Sequence, residues 1–401
     1  MNLSTISSQC SSETNLLVNA CRSYCTQDAG TLEDGVHWEA MDWNALVREA
    51  EEQGVAPILY HVLKTAKQHH MPAPAFSRLQ AFHYRNVHYI LRAQAVLHSI
   101  VDRFNENDLS LLLFKGPLLL HELYDSIALR PMADIDILVK KTEMDRVNNV
   151  LKTLGYRSEP LRQWFLQEYY CLEYYHRSEL PIEVHWELLH PQDFFQTAAM
   201  LPSACVWESA RPINIGKGRA FAMSDETHLL YLCLHMAKHF VQRTRLIWAC
   251  DIALILKNKK TTLDWPGFWR LAEDSGYPKL VTDALAYVEQ HLGEGTGMRK
   301  QWCFFQDLAA QQNMLRDETT RLVRIGKRIA RIPGVSAKIF SLFEYLFPHP
   351  ERIAWKYGIT GRRKALVWRI VHPCILLKHV MEELFSRIVG RVRKLRSLKE
   401  V

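Results

Sequence analysis

Two acidic residues one position apart, Asp134-Ile135-Asp136, lie in the run ADIDILVK, whose apolar residues read as a strand. Side chains alternate along a strand, so both carboxylates project from one face while Ile135, Ile137 and Val139 pack on the other. Carboxylates on Cα atoms about 7 Å apart are suited to hard divalent cations such as Mg²⁺ or Mn²⁺, which take oxygen ligands. The same alternation applies to Ile182-Glu183-Val184-His185-Trp186, where Glu183 and His185 share a face. If that strand lies beside the first, Glu183 completes a three-carboxylate site. Glu187 is its nearest rival, and His185 reads as a partner of Glu183 or as a satisfied histidine.

A negative site that handles phosphate needs a cradle for it. Phe114-Lys115-Gly116-Pro117 offers one, because a strand ends at Gly116 and a helix begins directly after it. Free N–H groups and the positive end of a helix dipole favour a bound phosphate, and Gly116 permits close backbone approach. Lys115 and Arg130 are natural partners for phosphate oxygens. Lys115 also reads as an exposed strand-end lysine, and Arg130 as an ion-pair partner of Asp134 or Asp136. His228, His235 and His239 share a later helix with Lys238. His235 and His239 have the i, i+4 spacing of zinc ligands, but no third ligand follows at a familiar spacing. His235, Lys238 and His239 therefore read as the border of the cleft, touching nucleotide or acceptor, or as packed helix residues, with Asp251 able to pair with a histidine. The aromatic group Trp164, Phe165, Tyr169, Tyr170, Tyr174 and Tyr175 reads as hairpin packing, with base stacking as the alternative.

These residues need elements to position them. The spacing predicts a short strand at LSLLLF from Leu109, a helix at PLLLHELY, the strand ADIDILVK, and a helix over 142–154 with apolar residues at Met144, Val147, Val150, Leu151 and Leu154. Thr142 with Asp145 suggests a capping box and Gly155 a stop. YRSE, EYYCLEYYH and LPIEVHWEL read as further strands, the last two joined by Arg177-Ser178-Glu179 as a hairpin. Before this core, DWNALVREAEEQG (Asp42 as cap), APILYHVLK and 76–106 read as helices. After Pro191 the pattern is helical again: SDETHLLYLCLHMAKHF with Ser224 as cap, then LIWACDIALIL, then a helical remainder broken by Pro and Gly.

Composition sets outer bounds. The 401 residues are 48% hydrophobic and 23% charged, as in an ordinary globular protein with room for two or three units. No uninterrupted apolar run is long enough for a transmembrane helix, and the start lacks a secretory signal pattern, so a cytoplasmic location is expected. Nine cysteines contain no CxxC pair, which disfavours a zinc ribbon; Cys21 and Cys25 read as free thiols. The net charge of +7 is uneven, since Arg321 to Val401 hold 19 Lys/Arg against 5 Asp/Glu. That basic segment, 362–399 above all, interleaves cations with apolar residues and is expected to meet an anionic surface or to cap the fold with a solvated basic rim.

The run from Leu111 to Val139, with Lys115-Gly116 and then RPMADIDILV, resembles the DNA polymerase β-like superfamily pattern of a glycine-led helix followed by Asp-x-Asp on a strand. It resembles more closely an uncharacterised bacterial nucleotidyltransferase family (NTP_transf_5). WNALVREAEEQGVAPILY, Leu154-Gly155-Tyr156, EVHWEL, HLLYLCLHMAKHF and LIWACDIALIL also resemble that family, over about 40–265. The resemblance implies an α+β fold, with a small mixed-sheet nucleotidyltransferase core flanked by N-terminal helices and a larger C-terminal helical region. The expected parts are a weakly ordered 1–36, helices over 37–108, the core over 109–190, a cleft-closing helical domain over 191–300 and a basic helical region over 301–401. It further implies Mg²⁺- or Mn²⁺-dependent transfer of a nucleoside monophosphate from an NTP to an acceptor hydroxyl (protein, RNA, sugar or small molecule). Asp134, Asp136 and Glu183 would be both metal ligands and catalytic residues. Pro117 stands where the superfamily has glycine or serine and removes an N–H. That departure supports the alternative of a non-catalytic nucleotide-binding or scaffold protein whose basic tail binds nucleic acid or membrane.

Overall fold

The computed structural model describes residues 11–28, 30, 32–66, 70–159, 161, 166, 169–189, 201–243 and 245–293. Beyond these it describes 342–343, 346–348, 350, 353, 361, 363–364 and 366–378. The chain divides into two compact units, Met1–Asp193 with Ala198–Ala309, and Phe194–Thr197 with Ala310–Val401.

The first unit is α+β. Its six-stranded mixed sheet has the order β3-β4-β2-β1-β6-β5, built from β1 (Leu112–Leu113), β2 (Ile135–Leu138), β3 (Cys171–Tyr174), β4 (Ile182–His185), β5 (Arg211–Ile215) and β6 (Gly218–Ala222). The central β2 pairs antiparallel with β1 and parallel with β4. All four β2 residues are buried, so Asp136 lies in the interior of the unit. Between β1 and β2 runs the helix Lys115–Glu122, and the Met144–Thr153 helix follows β2. A 34-residue helix, Ala73–Glu106, packs its Leu79, Ile90, Ala93, Leu97, Val101 and Phe104 stripe inward. That stripe has the spacing of a one-sided amphipathic helix. On Asp225–Arg243, by contrast, Leu229 to Leu234, Met236 and Ala237 are all buried, because other helices surround it.

Several expected elements differ. The N-terminal stretch forms the helix Ser12–Thr26, with Leu16, Leu17, Ala20, Cys21, Tyr24 and Cys25 buried. The Ser11 hydroxyl caps it by accepting from Thr14 N–H at 3.3 Å, and Arg22 Nε donates to His291 O at 3.0 Å. The Cys and Ser content had the look of a polar lead-in, yet buried cysteine behaves as a small apolar residue. The region after Pro191 is not purely helical, since the β5–β6 hairpin extends the sheet to Ala222. Its turn is Gly216-Lys217, with Gly216 at φ +61° as a two-residue hairpin loop requires, and Pro212 is tolerated because β5 is an edge strand. YRSE contributes a single bridge, Arg157 to Tyr175. Thr142 does not cap; a 3-10 turn at Lys141–Glu143 leads into the next helix, which lacks a side-chain cap. Trp164, Phe165 and the tail beyond 378 lie outside the described residues.

Candidate active site

The parallel pairing of β2 with β4 places Asp136 and Glu183 directly opposite each other, with their side chains on the same face. Asp134 lies in a bend directly before β2, close enough to Asp136, Lys115, Glu183 and His185 to feel their charges. His185, two residues beyond Glu183, brings Nε2 to 3.1 Å from both Asp136 Oδ1 and Glu183 Oε2. The β3–β4 hairpin sets Cys171 opposite His185, and its thiol donates to Glu183 Oε1 at 3.0 Å. Glu187, the rival carboxylate, is turned elsewhere and accepts from Ser203 N–H at 2.9 Å.

Lys115 enters the same cluster from the start of the next helix. Its Nζ lies 2.8 Å from Asp136 Oδ1 and 3.7 Å from Glu183 Oε2, between the Phe114 and Tyr231 rings. The reading of an exposed strand-end lysine is not what is seen. The backbone that delivers it is unusual: Lys115 has φ +48°, in the left-handed region that a side chain disfavours, at a cost of roughly 1–3 kcal/mol. Its N–H is held by His228 Nε2 at 3.1 Å. Burial, with the charges of Arg130 and Arg211, lowers the pKa of His228 to about 3, so the ring stays neutral and keeps that acceptor.

Charge in this pocket is closely matched. Burial alone would depress Lys115, but Asp136, Tyr231 and Glu183 hold its pKa well above the ordinary lysine value. His185 is likewise raised against its burial by Asp136 and Glu183. Burial pushes Glu183 up, yet the hydrogen bond and charge of His185, with Lys115 and Cys171, hold it well below the usual carboxylate range. Asp134 behaves in the opposite way. Burial and the neighbouring Asp136 raise its pKa to about 6, only partly offset by Lys115. Burial is the larger cause, and the repulsion of Asp136 adds to it.

Arg130 is placed differently from either expectation. It makes a two-pronged ion pair with Asp251, Nε to Oδ1 at 3.0 Å and Nη2 to Oδ2 at 2.9 Å, and Tyr124 O–H adds a third bond to Oδ1 at 2.7 Å. Asp251 was expected to meet a histidine; it lies fully buried on the helix Leu246–Lys259 and holds Arg130 instead. Gly116 serves this packing, since a Cβ there would clash with Met132 and come 2.7 Å from Arg130 Nη1. His235 and His239 pack against each other and against Trp248 at ring separations of 4.8–5.0 Å. Burial and the charges of Lys115 and His239 keep His235 neutral. Lys238 reaches toward the site through Tyr170: its Nζ is 3.3 Å from the hydroxyl, and the Tyr170 ring lies 5.6 Å from that of His185. Sequence reasoning missed Cys171 and Tyr231, and it grouped His228 only with the other histidines of its helix. The hairpin register was the one signal that could have found Cys171, whereas His228 and Tyr231 required the tertiary fold.

Residues 39–293 match the model of an uncharacterised nucleotidyltransferase family (NTP_transf_5). The chain belongs to that family. A search of curated proteins finds no match. As a member of this nucleotidyltransferase family the chain has the fold expected of it, a mixed sheet carrying the acidic cluster with helices around it. Nucleotidyltransferases generally use divalent metals, and among the described residues one group of three possible ligands converges. Cys171, Glu183 and His185 offer sulfur, oxygen and nitrogen within 4.8 Å of one another. Among the described residues, no helix is long and apolar enough to cross a membrane.

Proposed function

We propose that this protein is a divalent-metal-dependent nucleotidyltransferase that moves a nucleoside monophosphate from an NTP to an acceptor hydroxyl. The observation that carries the reading is the register pair Asp136–Glu183, with a lysine ammonium between the paired carboxylates and Asp134 near enough to feel their charge. Asp134, Asp136 and Glu183 would hold Mg²⁺ or Mn²⁺, which would supply Lewis-acid activation of the acceptor and charge neutralisation at the leaving pyrophosphate. The acceptor hydroxyl gives up its proton to water as its oxygen attacks the α-phosphorus, the bond to the bridging oxygen breaks, and pyrophosphate departs with that electron pair.

The chain's own groups divide the remaining work. Glu183, held ionised and oriented by Cys171 and His185, faces the acceptor hydroxyl and fixes its approach. Lys115 balances the carboxylates before substrate arrives. Its flexible stem lets the ammonium turn from Asp136 to the β,γ-phosphates as the NTP enters. Gly116, in the first turn of its helix, adds a backbone N–H. Pro117 is tolerated because a first-turn N–H has no partner within the helix. Arg130 acts as a positioning residue, bracing Gly116 while Asp251 holds it. Tyr170 and Lys238, with His235 and His239 behind them, border the nucleotide side.

A second reading, a non-catalytic nucleotide-binding scaffold, draws support from Pro117 and from the lysine that fills the acidic pocket. Pyrophosphate release separates the two. With each NTP, divalent cation and cell extract as the source of acceptor, the enzyme reading expects metal-dependent pyrophosphate formation. Nucleotide binding without pyrophosphate under every condition would favour the scaffold.

A further inference from the structure

The second compact unit contains a helical stretch, residues 363–364 and 366–378, that is unlike any helix around the acidic site. One side packs within its own unit. Arg369 Nε donates to Phe347 O at 2.9 Å, His372 Nδ1 lies 3.1 Å from Leu346 O, and Leu376 is buried. The other side is aliphatic and open to solvent: Leu366, Val367, Ile370, Val371 and Leu377 are 40–72% exposed, with Ile370 the most so. Positions 366, 367, 370, 371 and 377 fall on one face of a helix. Arg363 and Lys364, both exposed, sit at its start, within the segment that carries 19 Lys/Arg against 5 Asp/Glu.

We propose that this face docks on an anionic lipid surface, lying in the headgroup plane with its aliphatic side chains inserted and its cations against lipid phosphates. Charge and chemistry together select that occupant. A second copy would bring the same cations to the same place, and like charges across a symmetric interface repel. A nucleic acid matches the charge but not the face, where the five open aliphatic side chains outnumber the one exposed ring on this helix, Trp368, and bases are gripped by aromatic stacking or polar contacts. A surface that is negative outside and hydrocarbon just beneath satisfies both features. The proposal concerns a part of the chain outside residues 39–293 and does not depend on the transfer chemistry.

Flotation of the full chain with vesicles tests it, using phosphatidylglycerol mixed with phosphatidylcholine against phosphatidylcholine alone, at low and high salt. The expected result is binding to the anionic vesicles only, weakened severalfold by salt. It should fall about tenfold or more in Val367→Glu/Ile370→Glu and severalfold in Arg363→Gln/Lys364→Gln, with thermal melting unchanged. Because both substitution pairs are at exposed positions, a misfolded first variant leaves the second to decide. No binding to anionic vesicles at low salt would overturn the proposal, as would equal binding by both variants. Conversion of a wild-type dimer to monomer by Val367→Glu/Ile370→Glu would overturn it in favour of a self-association face. RNA binding lost in the same variants, with no vesicle binding, would overturn it in favour of nucleic acid.

Discussion

At the scale of single residues, the three carboxylates are not equivalent, and their differences are measurable. In the metal-free protein Asp134 has a pKa near 6 against an ordinary value of 3.8. The folded state thus keeps a proton that the unfolded chain has already released, so stability falls as pH rises from about 4 to 6. Asp134→Asn removes that penalty. In EDTA the variant should melt higher than wild type above pH 6, by on the order of 1–3 kcal/mol in stability, and the difference should vanish near pH 4. Thermal melts across that range read this directly; an unchanged gap at every pH would contradict it. Glu183, buttressed by Cys171 and His185, is the carboxylate that faces Asp136, whereas Glu187 holds a backbone N–H. Glu183→Gln should therefore lower turnover by about 10²-fold or more with little effect on nucleotide affinity, while Glu187→Gln leaves turnover within a few-fold. Steady-state kinetics with parallel binding measurements distinguish them. Strand alternation marked Asp136 and Glu183 as candidates, but their meeting rested on the condition that the two strands lie side by side, which the β2–β4 pairing meets. The partners of Arg130 and the destination of Lys115 were not legible, because both depend on which side chains the fold brings from far along the chain.

At the scale of elements, the site is a junction of strand β2, strand β4, the Lys115–Glu122 helix and the two helices from Asp225 and Leu246. The link to the last of these is the buried Arg130–Asp251–Tyr124 cluster. Removing one member of a buried pair strands the other charge, so Asp251→Ala should destabilise the protein by about 3–5 kcal/mol. Asp251→Leu combined with Arg130→Met should recover part of that loss. Denaturant unfolding of the three proteins checks the pattern, and a mild effect of Asp251→Ala would refute the cluster's assigned role. The β3–β4 hairpin was readable because period-two patterning flanks a short polar turn, whereas the parallel β2–β4 pairing that sets Glu183 beside Asp136 is a crossover contact that no local pattern specifies. The β5–β6 hairpin carried a comparable signal, Ile213, Ile215 and then Gly216-Lys217, but Pro212 and two close glycines masked it. The Ser12–Thr26 helix was hidden for a different reason: three of its inward residues are cysteine or alanine, whose burial a polar-looking composition conceals.

At the scale of the whole molecule, charge is partitioned by task. The family region holds the acidic pocket, whereas the basic excess lies beyond it, in a segment with an open aliphatic face. This partition was visible in the sequence, since it is a matter of counting; the exposure of Ile370 and its neighbours was not. The account's central claim is that the Asp134–Asp136–Glu183 cluster transfers the nucleotidyl portion of an NTP. The most direct test incubates the protein with divalent cation, cell extract and each NTP labelled either at the α- or at the γ-phosphate. The account predicts that α-label, from at least one NTP, enters a new product in the wild type. The γ-label should appear only in pyrophosphate, and neither event should occur with Asp134→Asn/Asp136→Asn or in EDTA. Product labelled from the γ-position, or α-labelled product formed equally by the double variant, would contradict it.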